Sequence, residues 1–101
     1  MSLPFLLNNS MNSSRNIQFE PDAFDEFIGW VNDDKKVFFK IAELIEEVRR
    51  DPFTGRGKPE LLKGDLKGYW SRRITDEHRM VYKVLDNTIL FVAFKSHYGD
   101  K

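Results

Sequence analysis

Polar and apolar positions divide the chain into segments of distinct texture. Residues 1–16 are rich in Asn and Ser (Asn8, Asn9, Ser10, Asn12, Ser13, Ser14) and show no periodicity, which predicts a mobile N-terminal arm. Ile17, Gln18 and Phe19 alternate as a short strand does. Glu20-Pro21-Asp22 then opens a helix, since Pro is tolerated at the first helical position and acidic groups there complement the helix dipole. Phe24, Phe27, Ile28 and Val31 follow at i, i+3, i+4 and i+7, a single apolar stripe. Asn32-Asp33-Asp34 breaks this helix and supplies a cap for a second one. There Val37, Phe38, Ile41, Leu44, Ile45 and Val48 repeat at helical spacing up to Asp51-Pro52.

Beyond Pro52 the period changes. Phe53-Thr54-Gly55-Arg56-Gly57-Lys58-Pro59 is a loop, and Glu60–Lys63, Tyr69–Ile74, Arg79–Val84 and Ile89–Lys95 read as four short strands with tight turns between them. Consecutive strands with short connections predict an antiparallel meander. The fold class is therefore α+β: a short N-terminal strand and an antiparallel two-helix hairpin packed on a twisted antiparallel sheet. Alternation assigns Met80, Tyr82, Val84, Trp70 and Ile74 to the core face. It turns Tyr69, Ser71, Arg73, Arg79, Val81 and Lys83 to the other face, while Arg72 points inward or to an edge.

Composition narrows the class. A chain of 101 residues suits one domain, the absence of Cys rules out disulfides and fits a reducing compartment, and two His are too few for a His-built metal site. No apolar run approaches the roughly 20 residues that span a bilayer, and the first residues lack a basic n-region and a cleavage signal. A cytoplasmic protein without a membrane partner, metal or cofactor is expected. The formal net charge is zero but unevenly spread. Residues 1–50 carry six Lys/Arg against nine Asp/Glu, and residues 51–101 carry ten against seven. A local cationic surplus on a sheet face, with a Tyr beside it, fits single-stranded nucleic acid or an ordinary solvated surface equally well on these grounds.

Candidate chemistry favours the former. RNA can be cut without metal by its own 2′-OH, given a base, an acid for the 5′-oxygen and cations for the phosphate. Glu60 follows the basic loop three residues before Lys63, and His97-Tyr98 follows the most apolar strand. Glu, His and Arg suit those three roles. His78, in a polar turn, reads as ordinary surface.

The segment Arg49-Arg50-Asp51-Pro52-Phe53-Thr54-Gly55-Arg56-Gly57-Lys58-Pro59-Glu60 resembles the R-R-x-P-F-x-G-x-G-K-P-E stretch of the YoeB/Txe toxins, in the RelE/ParE superfamily of bacterial toxin–antitoxin modules. Leu62-Lys63, Leu66, Gly68, the run Tyr69 to Thr75, Glu77-His78-Arg79, Val81-Tyr82 and His97-Tyr98 continue the resemblance over residues 17–98. The resemblance implies a small RNase-like fold and a ribosome-dependent endoribonuclease that cuts mRNA and arrests translation. It also implies a YefM/Phd-type antitoxin that alone contacts operator DNA, and a homodimer. Carried over, Glu60 is the general base, His97 the general acid, and Arg79 the transition-state stabiliser. Lys63 and Arg73 assist on the phosphate and Tyr98 orients the nucleotide, while Arg56, Lys58 and Arg72 contact rRNA or mRNA backbone. The resembled toxins end at or just after His-Tyr, whereas this chain continues with Gly99-Asp100-Lys101, a short tail.

Two other readings compete: a ParE-like gyrase inhibitor of the same fold, and a catalytically weak toxin acting mainly as an antitoxin partner and co-repressor. The first predicts loss of the acid–base residues, yet Glu60, Arg79 and His97 are all in the sequence.

Overall fold

The computed structural model describes residues 14–96. Most of the expected arm, the tail 99–101, His97 and Tyr98 lie outside the described residues. In chain order the elements are β1 (Asn16–Phe19), α1 (Pro21–Asp33), α2 (Lys35–Arg50) and β2 (Glu60–Leu61), then a 3-10 turn (Gly64–Leu66), β3 (Trp70–Arg73), β4 (Arg79–Val84) and β5 (Thr88–Ser96). No helix among the described residues is long and apolar enough to cross a membrane.

The strands form one sheet in the order β1-β5-β4-β3-β2. The four consecutive strands are antiparallel neighbours, as short connections require. β1 instead lies parallel to β5, with Ile17 opposite Ile89 and Phe19 opposite Phe91, so the sheet is mixed rather than wholly antiparallel. The helical hairpin carries the chain across one face before the meander begins, and β5 ends that meander with an edge for β1 to fill. β1 also starts one residue earlier than expected, and Arg15 is tied to the end of α2 through its N–H to the Arg49 carbonyl. β2 keeps only two residues, because Gly64, in the left-handed region at φ 66°, turns the chain just after Lys63.

α2 buries Ile41, Leu44, Ile45 and Val48, the stripe that periodicity predicts. Asp34 caps it by accepting from the amides of Lys36 and Val37, while its own N–H closes α1 on the Trp30 carbonyl. A cap of this kind stabilises by about 1 kcal/mol. α1 differs from its expected phase. Phe24 and Ile28 remain 48% and 45% exposed, and Ala23 and Trp30 are buried instead, with Phe27 between them. Polar anchors set this rotation: the Trp30 indole N–H donates to the Phe94 carbonyl at 3.0 Å, and the Glu26 carboxylate accepts from the Phe94 and Lys95 amides.

Between helices and sheet lies the main core, including Ile74, Met80, Tyr82, Ile89, Phe91 and Phe94, with Trp70 and Val84 packed against it. Phe19 brings β1 into this core through ring contacts with Phe24, Phe27, Phe91 and Phe94. A smaller cluster of Leu62, Val81 and Ala93 forms apart from it, with Leu66, Tyr69 and Val92 around it. By strand alternation Val81 faces away from the helices, so the outer sheet face has an apolar floor rather than a purely charged surface.

Candidate active site on the outer sheet face

Register brings the candidate residues together. Glu60 on β2 is opposite Ser71 on β3, and Ser71 is opposite Val81 on β4. One step along, Arg73 is opposite Arg79, which in turn faces Ser96 on β5. Side chains two apart on a strand share a face, so Glu60, Ser71, Arg73 and Arg79 all project outward. The Arg79 guanidinium Nη1 lies 3.7 Å from Glu60 Oε1 and 3.3 Å from Ser71 Oγ. Ser71 is fully buried and Arg79 nearly so, whereas the Glu60 side chain is 57% exposed. The cation is thus held by the sheet, a fixed charge beside an accessible carboxylate that faces solvent. Ser71 joins this group without a role expected from the sequence: alternation turns it outward, but its place opposite Glu60 depends on the β2 register, which the sequence pattern does not encode.

Of the other expected residues, Arg73 and Lys63 are exposed, and Arg73 shares a row with Arg79. Lys58 is exposed in the loop, at φ 51°. β5 delivers the chain to Ser96 opposite Arg79, but His97 and Tyr98 lie outside the described residues.

Arg72 and Arg56 are not on this face. Arg72, expected to contact RNA backbone, is fully buried on the helix side of β3. Its guanidinium donates to the carbonyls of Asp51, Thr54 and Arg56 and to the Tyr82 hydroxyl, with the Glu47 carboxylate 3.6 Å away. Tyr82 in turn donates to the Pro52 carbonyl at 2.7 Å. This is a loop anchor, and burial is what rules out an RNA contact there. Arg56, also expected on RNA, pairs at 2.6 Å with Glu47 and at 3.3 Å with Glu43 on α2, and these carboxylates hold its proton more firmly still. His78 is not simple surface either: its half-buried ring stands edge-on to Trp30 at 5.2 Å.

The loop between α2 and β2 closes tightly around this anchor. Gly57, at φ 84°, accepts at its carbonyl from the Arg73 amide, and a Cβ there would meet the Arg73 carbonyl oxygen at 2.8 Å. Only glycine fits so close to backbone in that conformation. Asp51 accepts from the Thr54 hydroxyl and the Phe53 amide, which hold its carboxyl below the usual range. Burial pushes the Tyr82 phenol up, and Arg72 opposes that rise. Among the described residues no three His, Asp or Glu side chains cluster as metal ligands.

A family model described as "YoeB-like toxin of bacterial type II toxin-antitoxin system" matches residues 19–98. Toxin YoeB of Mycobacterium bovis is 49% identical over 84 residues, which cover 83% of this chain and 99% of that protein. A YoeB dimer from Staphylococcus aureus has a similar structure, with a TM-score of 0.77 and 46% identity over 84% of this chain and 99% of that one. The toxin in a heterotetrameric YoeB–YefM toxin–antitoxin complex from Staphylococcus aureus gives a TM-score of 0.75 and 47% identity, over 83% and 98% of the two chains. Sequence and fold thus agree over nearly the whole length of these relatives, and the chain belongs to the YoeB-like toxins of bacterial type II toxin–antitoxin systems.

Proposed function

We propose that this chain is a ribosome-dependent endoribonuclease that cuts mRNA and so arrests translation in the cytoplasm. The observation that carries the reading is the Glu60–Arg79 pair, a solvent-facing carboxylate 3.7 Å from a buried guanidinium on a face that also bears Arg73. Glu60 takes the proton of a ribose 2′-OH as that oxygen attacks the adjacent phosphorus. The bond to the 5′-oxygen breaks, and His97 returns a proton to that leaving group, which yields a cyclic phosphate end. Arg79, pre-set against Ser71, meets the charge that builds on the phosphate, with Lys63 and Arg73 beside it. Tyr98 orients the nucleotide. A YefM-type antitoxin as partner, and a homodimer, are supported by the assemblies of the Staphylococcus aureus relatives.

Cell-free translation tests this. The parent chain cuts mRNA only when ribosomes are present, and Glu60→Ala, Arg79→Ala and His97→Gln each lower cleavage by about 100-fold or more. Undiminished cleavage in the Glu60 and Arg79 variants overturns the mechanism. Growth arrest with intact mRNA and blocked gyrase supports the inhibitor reading in its place.

A further inference from the structure

Tyr69 and Lys83 belong to the same outer face but have no part in the chemistry above. Trp70 is opposite Tyr82, so the next cross-strand pair toward this end of the sheet is Tyr69 with Lys83. The Lys83 ammonium lies 5.3 Å from the centre of the Tyr69 ring, and both side chains are half-buried. Leu62, Val81 and Ala93 form the apolar floor against which the ring packs. Along β4, Lys83 is four residues from Arg79, roughly 13 Å on an extended strand.

We infer that Tyr69 and Lys83 form a binding subsite for one nucleotide of single-stranded RNA next to the Glu60–Arg79 centre, an inference that rests on the nuclease reading above. A flat aromatic face over an apolar floor suits a nucleobase, which stacks regardless of its identity. A flexible ammonium at the same spot suits the phosphate that accompanies it. In the free protein Lys83 covers the ring. A base that stacks there replaces a weaker cation–π contact and releases the ammonium toward the RNA backbone. The cations Arg73, Arg79 and Lys83 along adjoining strands complement a polyanion that runs parallel to β4. RNA that occupies both points is held across the scissile bond, so the subsite contributes to alignment as well as affinity.

The probe is a short mixed-sequence 2′-O-methyl RNA, which cannot be cut because its 2′ oxygens are blocked. It is titrated against the full chain at several salt concentrations, with ribosomal cleavage and antitoxin binding measured alongside. Tyr69→Phe keeps the ring and binds as the parent does, whereas Tyr69→Leu binds about tenfold more weakly. Lys83→Gln lowers the slope of log affinity against log salt by about 0.7, the loss of one phosphate contact on a single strand. Should Tyr69→Leu fail to fold, Lys83→Gln and Lys83→Glu decide the matter. The subsite is overturned if these variants bind the probe as tightly as the parent, or if they weaken only antitoxin binding. Normal probe binding by them, with cleavage still lost in Glu60→Ala, overturns the subsite alone. A parent chain that cuts no mRNA on ribosomes overturns the nuclease reading instead.

Discussion

Two adjacent arginines show how far alternation along a strand decides a residue's role. Arg73 faces outward beside Arg79, and Arg72 turns into the protein interior, where one guanidinium organises three loop carbonyls and a phenol. A guanidinium can do this because its donors are spread in a rigid fork; an ammonium concentrates its three at one point. Arg72→Lys is therefore expected to lose about 3 kcal/mol, in the range for a broken buried charge contact, whereas Arg73→Lys changes stability little. For a domain of this size that loss lowers the melting temperature by roughly 12 °C or more. Urea and thermal unfolding of both variants check the contrast, and equal stabilities would mean the anchor contributes nothing. The sequence makes Arg72 ambiguous because its partners come from a loop 16 to 21 residues away, whose path no local periodicity encodes.

At the scale of elements, the loop from Asp51 to Gly57 joins the end of α2 to the strand that bears Glu60, and its acid end is sensitive to pH. The Thr54 hydroxyl and Phe53 amide lower the Asp51 pKa in the folded chain. A lowered folded value means that this stabilisation is complete above the ordinary Asp range, near ~4, and is lost as pH falls through the folded value. The parent is expected to be more stable than Asp51→Asn at neutral pH, with the gap closing on acidification, as measured by urea unfolding across that range. A gap that stays constant into acid would mean the carboxylate charge has no part in holding the loop. Elements governed by near neighbours were legible in the sequence. The apolar stripe of α2, the cap at Asp34 and all of β4 match what periodicity predicts. The rotation of α1 was not legible, since it depends on Trp30 and Glu26 reaching backbone groups 64 to 69 residues away. In the site, alternation aligned Arg73 and Arg79 on one face. Only the register of β2 could bring Glu60 beside them, and a two-residue strand carries little pattern of its own.

In the whole molecule, the parallel β1 joins the first strand to the last and secures the sheet edge that alternation alone leaves open. Phe19 is the key to that closure because its ring meets four other aromatic rings from α1 and β5. Phe19→Ala is expected to cost about 3 kcal/mol and to speed hydrogen exchange along β5, where β1 pairs with it. Unchanged exchange there would show that β5 is secured without β1. Past Phe91, no strand among the described residues pairs with β5 on this side, and α1 takes the place of one: Glu26 receives the amides of Phe94 and Lys95, and Trp30 donates to the Phe94 carbonyl. The helix therefore holds the last described residues of β5 from the side opposite the face that bears Glu60 and Arg79. If Glu60 and Arg79 cut RNA as proposed, a binder that grips α1 and draws Glu26 or Trp30 away would lower cleavage remotely, without touching the face that bears those two residues.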